Sequence, residues 1–277
     1  MSSVNAALRF VFDLLLAPFA GLPPIVSLVV VSLPTAILML LVFKRTSDQA
    51  ALSAVKRHIH AGLFEIRLFS DDLGAIFRAQ GEILRRNATY LRLSLVPMFW
   101  ILPPMVLLIA QLQFHYGYDG LRPEEAVLLK VDLTPGSVAP GERPEALLDL
   151  PPGLDAQTED VWVPSESQVA WRLAAEREGD FEIGISIGGA QPVTKTVRVT
   201  ADAVRLSPVR VGSSFLSQLI YPAEAPLPAD SPIHAIHIDY QERDVSVLGL
   251  GMHWLIPFFA LSIAFAFAMR GWFKVTL

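Results

Sequence analysis

Three long uncharged or nearly uncharged apolar segments constrain this chain more than any other feature. The first two contain no charged residue, and the third contains one histidine near its start and one arginine, Arg270, at its end. At about 1.5 Å of rise per residue, a helix of 20 residues covers the ~30 Å hydrocarbon core of a bilayer. The sequence therefore predicts an integral membrane protein of three transmembrane helices, at residues 23–43, 93–113 and 250–270.

The polar segments around these helices differ in charge. Residues 44–92 contain nine Lys and Arg against five Asp and Glu, whereas residues 114–249 contain ten against 21. Short loops rich in Lys and Arg stay in the cytoplasm, while long domains cross the membrane largely regardless of charge. We therefore expect residues 44–92 and the tail 271–277 in the cytoplasm. The N-terminus and residues 114–249 are expected outside it, with the protein in the cell inner (cytoplasmic) membrane.

Residues 1–22 have the pattern of an amphipathic helix lying in the outer membrane interface. A frayed N-terminus is the alternative. The apolar side consists of Leu8, Val11, Leu14, Leu15 and Phe19, and the residues grouped away from it are Asn5, Arg9 and Asp13.

The segment 44–92 predicts a cytoplasmic helical hairpin. Apolar residues recur at helical spacing from Leu52 to Phe69, and a second such stripe, which includes Phe77, begins at Leu73. Between them, Ser70-Asp71-Asp72 interrupts the pattern and offers N-cap residues. Two helices joined by so short a turn must run antiparallel. The basic residues of the hairpin face either water alone, or anionic headgroups or a partner.

Residues 114–249 predict an extracytoplasmic antiparallel β-sandwich inserted between the second and third transmembrane helices. Short runs with alternating or β-branched residues are separated by Pro, Gly and Asp turns, which is typical of such folds. The predicted strands are 126–133, 168–176, 181–188, 193–200, 214–221 and 234–241.

Motifs of catalysis and metal binding are not found in the sequence. It contains no nucleophile elbow, phosphate loop, zinc-protease motif or cysteine. His237 and Asp239 share one face of a predicted strand, but His234 points to the other face and no fourth ligand is near. We therefore predict no catalytic residue, no metal, no cofactor and no nucleic-acid partner, and the protein is not expected to be an enzyme.

Several groups in the predicted transmembrane helices are polar or break helices. The second contains Pro97, Pro103 and Pro104, which should leave it kinked and short of backbone hydrogen bonds. Ser32, Thr35 and Ser262 add hydroxyl groups to the other two. Such groups indicate a polar groove, although serine and threonine also bond to their own helix backbone.

The order of these segments resembles the YidC/Oxa-type membrane insertase superfamily. The resemblance lies in the lead-in FDLLLAPFAG, the first transmembrane helix with basic residues at its end, the hairpin, the proline-rich second helix and the last segment WLIPFFALSIAFAFAMRGWFKV. It is strongest to the three-span members, such as the archaeal YidC-like proteins and the third subunit of the endoplasmic reticulum membrane protein complex. It covers residues 7–113 and 250–275.

This resemblance implies a lipid-open hydrophilic groove between the three helices, through which client membrane proteins enter the bilayer. The groove candidates are Ser32, Thr35, Gln111 and Ser262. Hairpin candidates for contact with clients or lipid are Lys56, Arg57, Arg85 and Arg86. The sequence departs from the family in two respects: the groove arginine of bacterial YidC falls near Thr35, and a large β-domain separates the last two helices.

Two functions therefore stand as predictions. The first is an insertase or chaperone for membrane proteins that uses the groove. The alternative is a non-catalytic scaffold or a subunit of a larger membrane complex, whose β-domain binds a protein partner in the outer compartment. A shared open face of polar groups would favour the insertase, whereas a tightly packed interior of three helices would favour the scaffold.

Overall fold

A computed structural model describes most of the chain and divides it into two compact units. The described residues are 2–19, 21–69, 72–139 and 142–276. We call residues 28–106 and 255–277 the helical unit, and residues 1–27 and 107–254 the β unit.

Four long helices supply the helical unit. They are α2 (Pro24–Thr46), α3 (Gln49–Leu68), α4 (Leu73–Tyr116) and α6 (Leu255–Phe273). Among the described residues, three helical stretches are long and apolar enough to cross a membrane, which is the number that the sequence predicted. These are Pro24–Thr46, Ile76–Tyr116 and Leu255–Phe273.

The third apolar helix begins later than the sequence predicted. Leu250–His253 form a strand, and helix α6 starts only at Leu255. Pro257 then lies in the first helical turn, where its missing N–H costs no hydrogen bond within the helix. The residues before it are free to pair as a strand, and they do so with Asp244–Val247.

Helix α4 joins two elements that the sequence analysis treated as separate. The second hairpin helix and the second apolar segment form one helix of 44 residues, with Pro97, Pro103 and Pro104 inside it. A helix of this length is about 66 Å long at 1.5 Å per residue. The hairpin and the apolar segment are therefore continuous.

The hairpin between α3 and α4 has capped ends and one close contact. The carboxylate of Asp48 accepts a hydrogen bond from the Ala51 amide at 2.9 Å and so caps α3. Asp72 accepts from the Gly74 amide at the start of α4, while the predicted turn residues Ser70 and Asp71 lie outside the described residues. A Cβ placed on Gly62 would lie only 2.8 Å from Cγ1 of Ile83, so the two helices touch at this glycine.

The β unit contains the predicted antiparallel sheets. The strands are β1 (Ala126–Leu133), β2 (Ala146–Asp149), β3 (Leu154–Ala156), β4 (Val161–Val163), β5 (Gln168–Ala175), β6 (Gly179–Ile187), β7 (Val193–Val199), β8 (Val209–Val211), β9 (Ile233–Ile238), β10 (Asp244–Val247) and β11 (Leu250–His253). The largest sheet has the strand order β3-β5-β1-β9-β8, with β4 also paired to β5, and a second sheet has the order β2-β6-β7. Strands β10 and β11 form a separate hairpin.

The two larger sheets share one hydrophobic core. Leu129 and Leu173 from the first sheet and Ile183 and Val197 from the second are completely buried in a single cluster. In β1 and β7 the buried residues alternate with more exposed ones, as expected when one face of a sheet is covered. This is the layer arrangement of a β-sandwich.

The β unit also contains short helical elements. Helix α1 (Ser2–Leu16) and a 3-10 turn (Ala17–Phe19) precede α2, and helix α5 (Phe215–Ile220) lies between β8 and β9. The strand predicted at 214–221 is therefore wrong. The Ser214 hydroxyl accepts a hydrogen bond from the Ser217 amide at 3.1 Å, and this N-cap starts a helix where the apolar pattern had favoured a strand.

The contact at Gly62 provides a test of the hairpin. We expect Gly62→Leu to lower the free energy of unfolding by about 1–3 kcal/mol, because the new side chain must displace Ile83. The matched control is Gly81→Leu, since Gly81 is also helical but has open space around it. Thermal unfolding of the purified proteins, followed by circular dichroism, measures both. Equal losses in the two variants would contradict the close packing of α3 on α4.

Candidate functional site

The predicted groove hydroxyl groups of the helical unit are buried. The Ser32 hydroxyl lies 3.5 Å from the Phe258 carbonyl of α6, and the Thr35 hydroxyl donates to the Val31 carbonyl of its own helix at 2.8 Å. The Ser262 hydroxyl is buried without a hydrogen-bond partner among the described residues. Ser262 lies one helical turn after Phe258, so Ser32 and Ser262 belong to the facing sides of α2 and α6.

Helix α2 is apolar on its exposed side as well as on its buried side. The buried side contains Leu28, Val31 and Leu40 together with the small or polar residues Ser32, Thr35 and Ala36. The exposed side contains Val29, Leu33, Leu38 and Leu41. In a helix surrounded by water the exposed side would be polar. The outer face of α2 therefore needs an apolar environment.

The other two apolar helices expose large side chains as well. On α6 these are Ile256, Phe259, Ile263 and Phe267, and on α4 they are Leu95, Val96, Met98, Phe99, Trp100, Leu102 and Val106. Contiguous apolar surface of this extent is rare on soluble monomers and marks contact with a membrane or another protein.

Gln111, the fourth groove candidate, belongs to the β unit and has a fixed partner there. It is 1% exposed and accepts a hydrogen bond from Nη1 of Arg205 at 2.9 Å. Arg205 also donates from Nε to Asp13 of α1 at 2.9 Å. The structure thus places Ser32, Thr35 and Ser262 in one unit and Gln111 in the other. Sequence reasoning missed Arg205, because 94 residues separate it from Gln111 and no local pattern marks it.

The basic hairpin candidates differ in their surroundings. Arg57 and Arg85 are exposed, while Lys56 is half-buried. Arg86 donates to Glu82 at 2.6 Å, an exposed pair one helical turn apart. Such surface pairs contribute little to stability.

Exposed apolar residues dominate the far end of the hairpin. Phe64, Leu68, Leu73 and Phe77 are all more than 60% exposed. The sequence analysis had assigned Leu73 and Phe77 to a stripe typical of helix packing, but α3 and α4 meet at Gly62, Ala79 and Ile83 instead. Gly62 is the residue that could have indicated this packing, because a glycine allows two helices to approach closely. Phe64 and Phe77 then lie outside the contact between α3 and α4. We call Phe64, Leu68, Leu73 and Phe77 the hairpin patch.

A buried ionic cluster in the β unit was also missed. Lys195 of β7 donates to Glu224 at 2.6 Å and to the Ser207 hydroxyl at 3.0 Å, and that hydroxyl donates to Glu224 at 2.8 Å. Burial lowers the pKa of Lys195 to about 8 even though Glu224 opposes the shift. Burial alone would raise the pKa of Glu224, but the attraction and hydrogen bond of Lys195 outweigh it and hold the pKa below its usual value.

This cluster has the residue types of a serine nucleophile with a lysine base. Glu224, however, accepts hydrogen bonds from both groups, so Lys195 stays protonated at neutral pH and has no free base function. The arrangement ties strand β7 to the segments that carry Ser207 and Glu224. Its role in the described structure is therefore to hold the β unit together.

The histidine cluster of the sequence analysis is divided between two contacts. His237 lies 2.9 Å from Asp132, and Asp239 accepts from Lys130 at 2.9 Å. Among the described residues there is no group of three or more His, Asp or Glu side chains that could hold a metal ion.

No family model, curated protein or solved structure matches this chain.

The buried cluster predicts a pH dependence of stability. Because the pKa of Glu224 is lower in the folded than in the unfolded protein, its contribution is complete above its ordinary pKa of 4.5 and is lost as the pH falls below it. We expect Glu224→Gln to cost about 3–5 kcal/mol at pH 7, since Lys195 stays buried without its counter-charge. The variant should also lose part of the acid sensitivity.

Thermal unfolding of wild type and variant between pH 3 and pH 7 measures both effects. Glu242→Gln, at an exposed glutamate of the same unit, is the control. A parallel pH dependence in wild type and Glu224→Gln would contradict the assignment.

Proposed function

We propose that this protein spans the cell inner membrane with α2, the apolar part of α4 and α6, and that it acts as an insertase or chaperone for membrane proteins. In this proposal the β unit lies outside the cytoplasm and the hairpin inside. The resemblance to the YidC/Oxa superfamily supports the function, and the excess of Lys and Arg in residues 44–92 supports the orientation.

The outward-facing apolar residues of the three helices support the membrane location. Helix α2 turns its hydroxyl groups inward and exposes Val29, Leu33, Leu38 and Leu41, with no polar residue among them. In a bilayer the lipid chains cover such a surface, and polar side chains find partners in neighbouring helices. The hydrogen-bond geometry of Ser32 and Thr35 fits this environment.

The hairpin patch is the observation that carries the proposed function. Leu73 lies 20 residues before Leu93 on one continuous helix, a distance of about 30 Å along its axis. The patch is therefore far along α4 from the apolar part that enters the bilayer, yet its side chains are exposed. An apolar client segment would cover them before insertion. The neighbouring cations, Arg67 and Arg78, would interact with acidic groups that flank such a segment.

The groove in this proposal is built around the facing sides of α2 and α6. Ser32, Thr35 and Ser262 are buried, so α2 and α6 have to separate before these hydroxyl groups can meet a client. Their burial is the feature that favours the alternative, a scaffold. Gln111 is held by Arg205 and serves the β unit. The protein needs no cofactor for this activity, since the client enters the bilayer by partition rather than by a reaction.

Insertion into liposomes tests the proposal. Purified protein is reconstituted, and the insertion of a single-span client with a short tail is measured by protease protection. Wild type should insert more client than protein-free liposomes do. The double variant Phe64→Gln/Phe77→Gln should insert less, because it removes apolar contact while leaving the hairpin packing at Gly62 intact.

The matched control removes two equally exposed apolar residues of the β unit, Leu147→Gln/Val161→Gln. It should insert client as well as wild type does. No insertion above protein-free liposomes by a folded wild type would overturn the insertase.

A further inference from the structure

Helix α1 turns its polar side towards the rest of the β unit. Asn5 donates from its side-chain amide to the Gln218 carbonyl at 2.6 Å, and Arg9 donates to the Pro222 carbonyl at 2.9 Å. Asp13 accepts from Arg205. Successive polar residues lie four positions apart, so they form one face of the helix, and each of them makes a hydrogen bond to protein.

The opposite side of α1 is apolar and uncovered. Phe10 and Leu14 are each about two-thirds exposed, and Val4 and Val11 are about half exposed. Residues 4, 11 and 14 share a face at helical spacing. The sequence had predicted an interfacial helix with its polar residues turned away from the membrane, and the structure shows that those residues bind the β unit.

Helix α5 repeats this inverted pattern. Gln218 is 2% exposed and donates to the Gly212 carbonyl at 3.3 Å, whereas Phe215, Leu216 and Ile220 are all more than half exposed. The helix contains no charged residue. A surface helix in water would show its glutamine and bury its leucine, isoleucine and phenylalanine side chains.

The two helices are neighbours, because Asn5 of α1 bonds directly to the backbone of Gln218 in α5. Their exposed apolar residues therefore lie on neighbouring helices of the β unit. A short, hydrogen-bonded connection leads from α1 to the first turn of α2, with the Leu22 amide bonded to Phe19 and the Val26 amide bonded to Pro23. The apolar region thus lies within a few residues of the start of an apolar helix.

We propose that α1 and α5 together form a lipid-binding platform, which lays the β unit on the outer headgroup–acyl boundary of the same bilayer. The occupant is a lipid surface, because the apolar side of α1 and the exposed residues of α5 carry no charge, and because the chain leads from α1 into α2. This inference rests on the proposed membrane location. It adds that the β unit has a membrane contact of its own, at α5, besides its covalent links to the helices.

The platform fixes the orientation of the β unit. The hydrogen bonds of Asn5, Arg9 and Asp13 join α1 to the rest of the β unit. We therefore expect α1 and α5 to bind lipid together.

Site-specific fluorescence tests the platform in the full chain. The protein has no cysteine, so single cysteines at Leu14, Leu216 or Ile220 accept an environment-sensitive fluorophore without background labelling. Labelled protein is reconstituted in nanodiscs of phosphatidylcholine with or without a nitroxide on the lipid chain near the headgroup. Iodide serves as the aqueous quencher. Leu147→Cys on β2 is the matched control, because it is an equally exposed leucine of the same unit.

We expect the three platform labels to be quenched by the nitroxide lipid and protected from iodide, and the Leu147 label to behave in the opposite way. A label at Leu102 of α4 reports on the membrane location itself. If Leu102 is quenched by lipid while Leu216 and Ile220 respond to iodide as Leu147 does, the platform is overturned and the membrane proposal stands.

If Leu102 also responds only to iodide, both proposals are overturned. Platform labels protected from iodide but untouched by the nitroxide lipid would identify a protein partner or a second copy, and would overturn the lipid platform. Two positions on α5 guard against a local effect of one label.

Discussion

The direction in which polar and apolar side chains point is the constraint on which the rest of this structure depends. Ser32 and Thr35 of α2, and Asn5 and Arg9 of α1, are turned towards protein, while leucine, valine and phenylalanine side chains face outward. Such surfaces are stable only where an apolar medium covers them, since each exposed side chain otherwise forgoes about 1.5–3 kcal/mol of burial. The proposed bilayer supplies that medium, and it explains why the hydrogen bonds lie inside.

Long-range polar contacts join distant segments of the chain within the β unit. Arg205 connects the segment after β7 with Asp13 and Gln111, and Lys195 and Glu224 form an ion pair within the unit. Each cation is buried, so loss of one partner leaves a charge without compensation, which is costly. These contacts act alongside the shared hydrophobic core, whose fully buried residues come from both sheets.

The spacing of apolar residues along the chain predicted most of the helices and strands. The uncharged segments, the two helical stripes and five of the six proposed strands follow from residue spacing, and the structure contains them. The prediction of a strand at 214–221 was wrong, because Ser214 caps a helix there and the run of apolar residues fits either structure. Arg205 and the Lys195–Glu224 pair were invisible, since their partners are brought together by the fold. The exposure of Phe77 was missed because a helical stripe does not say which of its residues the neighbouring helix covers.

The accessibility of single cysteines to a thiol reagent, at two positions of α4 and one of the β unit, tests whether this chain is a membrane protein with its hairpin in the cytoplasm. Single cysteines replace Phe77, Phe99 or Leu147, and an impermeant thiol reagent is added to intact cells or to inverted membrane vesicles. The account predicts that Phe77→Cys reacts only in inverted vesicles, Leu147→Cys only in intact cells, and Phe99→Cys in neither. Reaction of Phe77→Cys and Leu147→Cys from the same side, or reaction of Phe99→Cys in the folded protein, would contradict it.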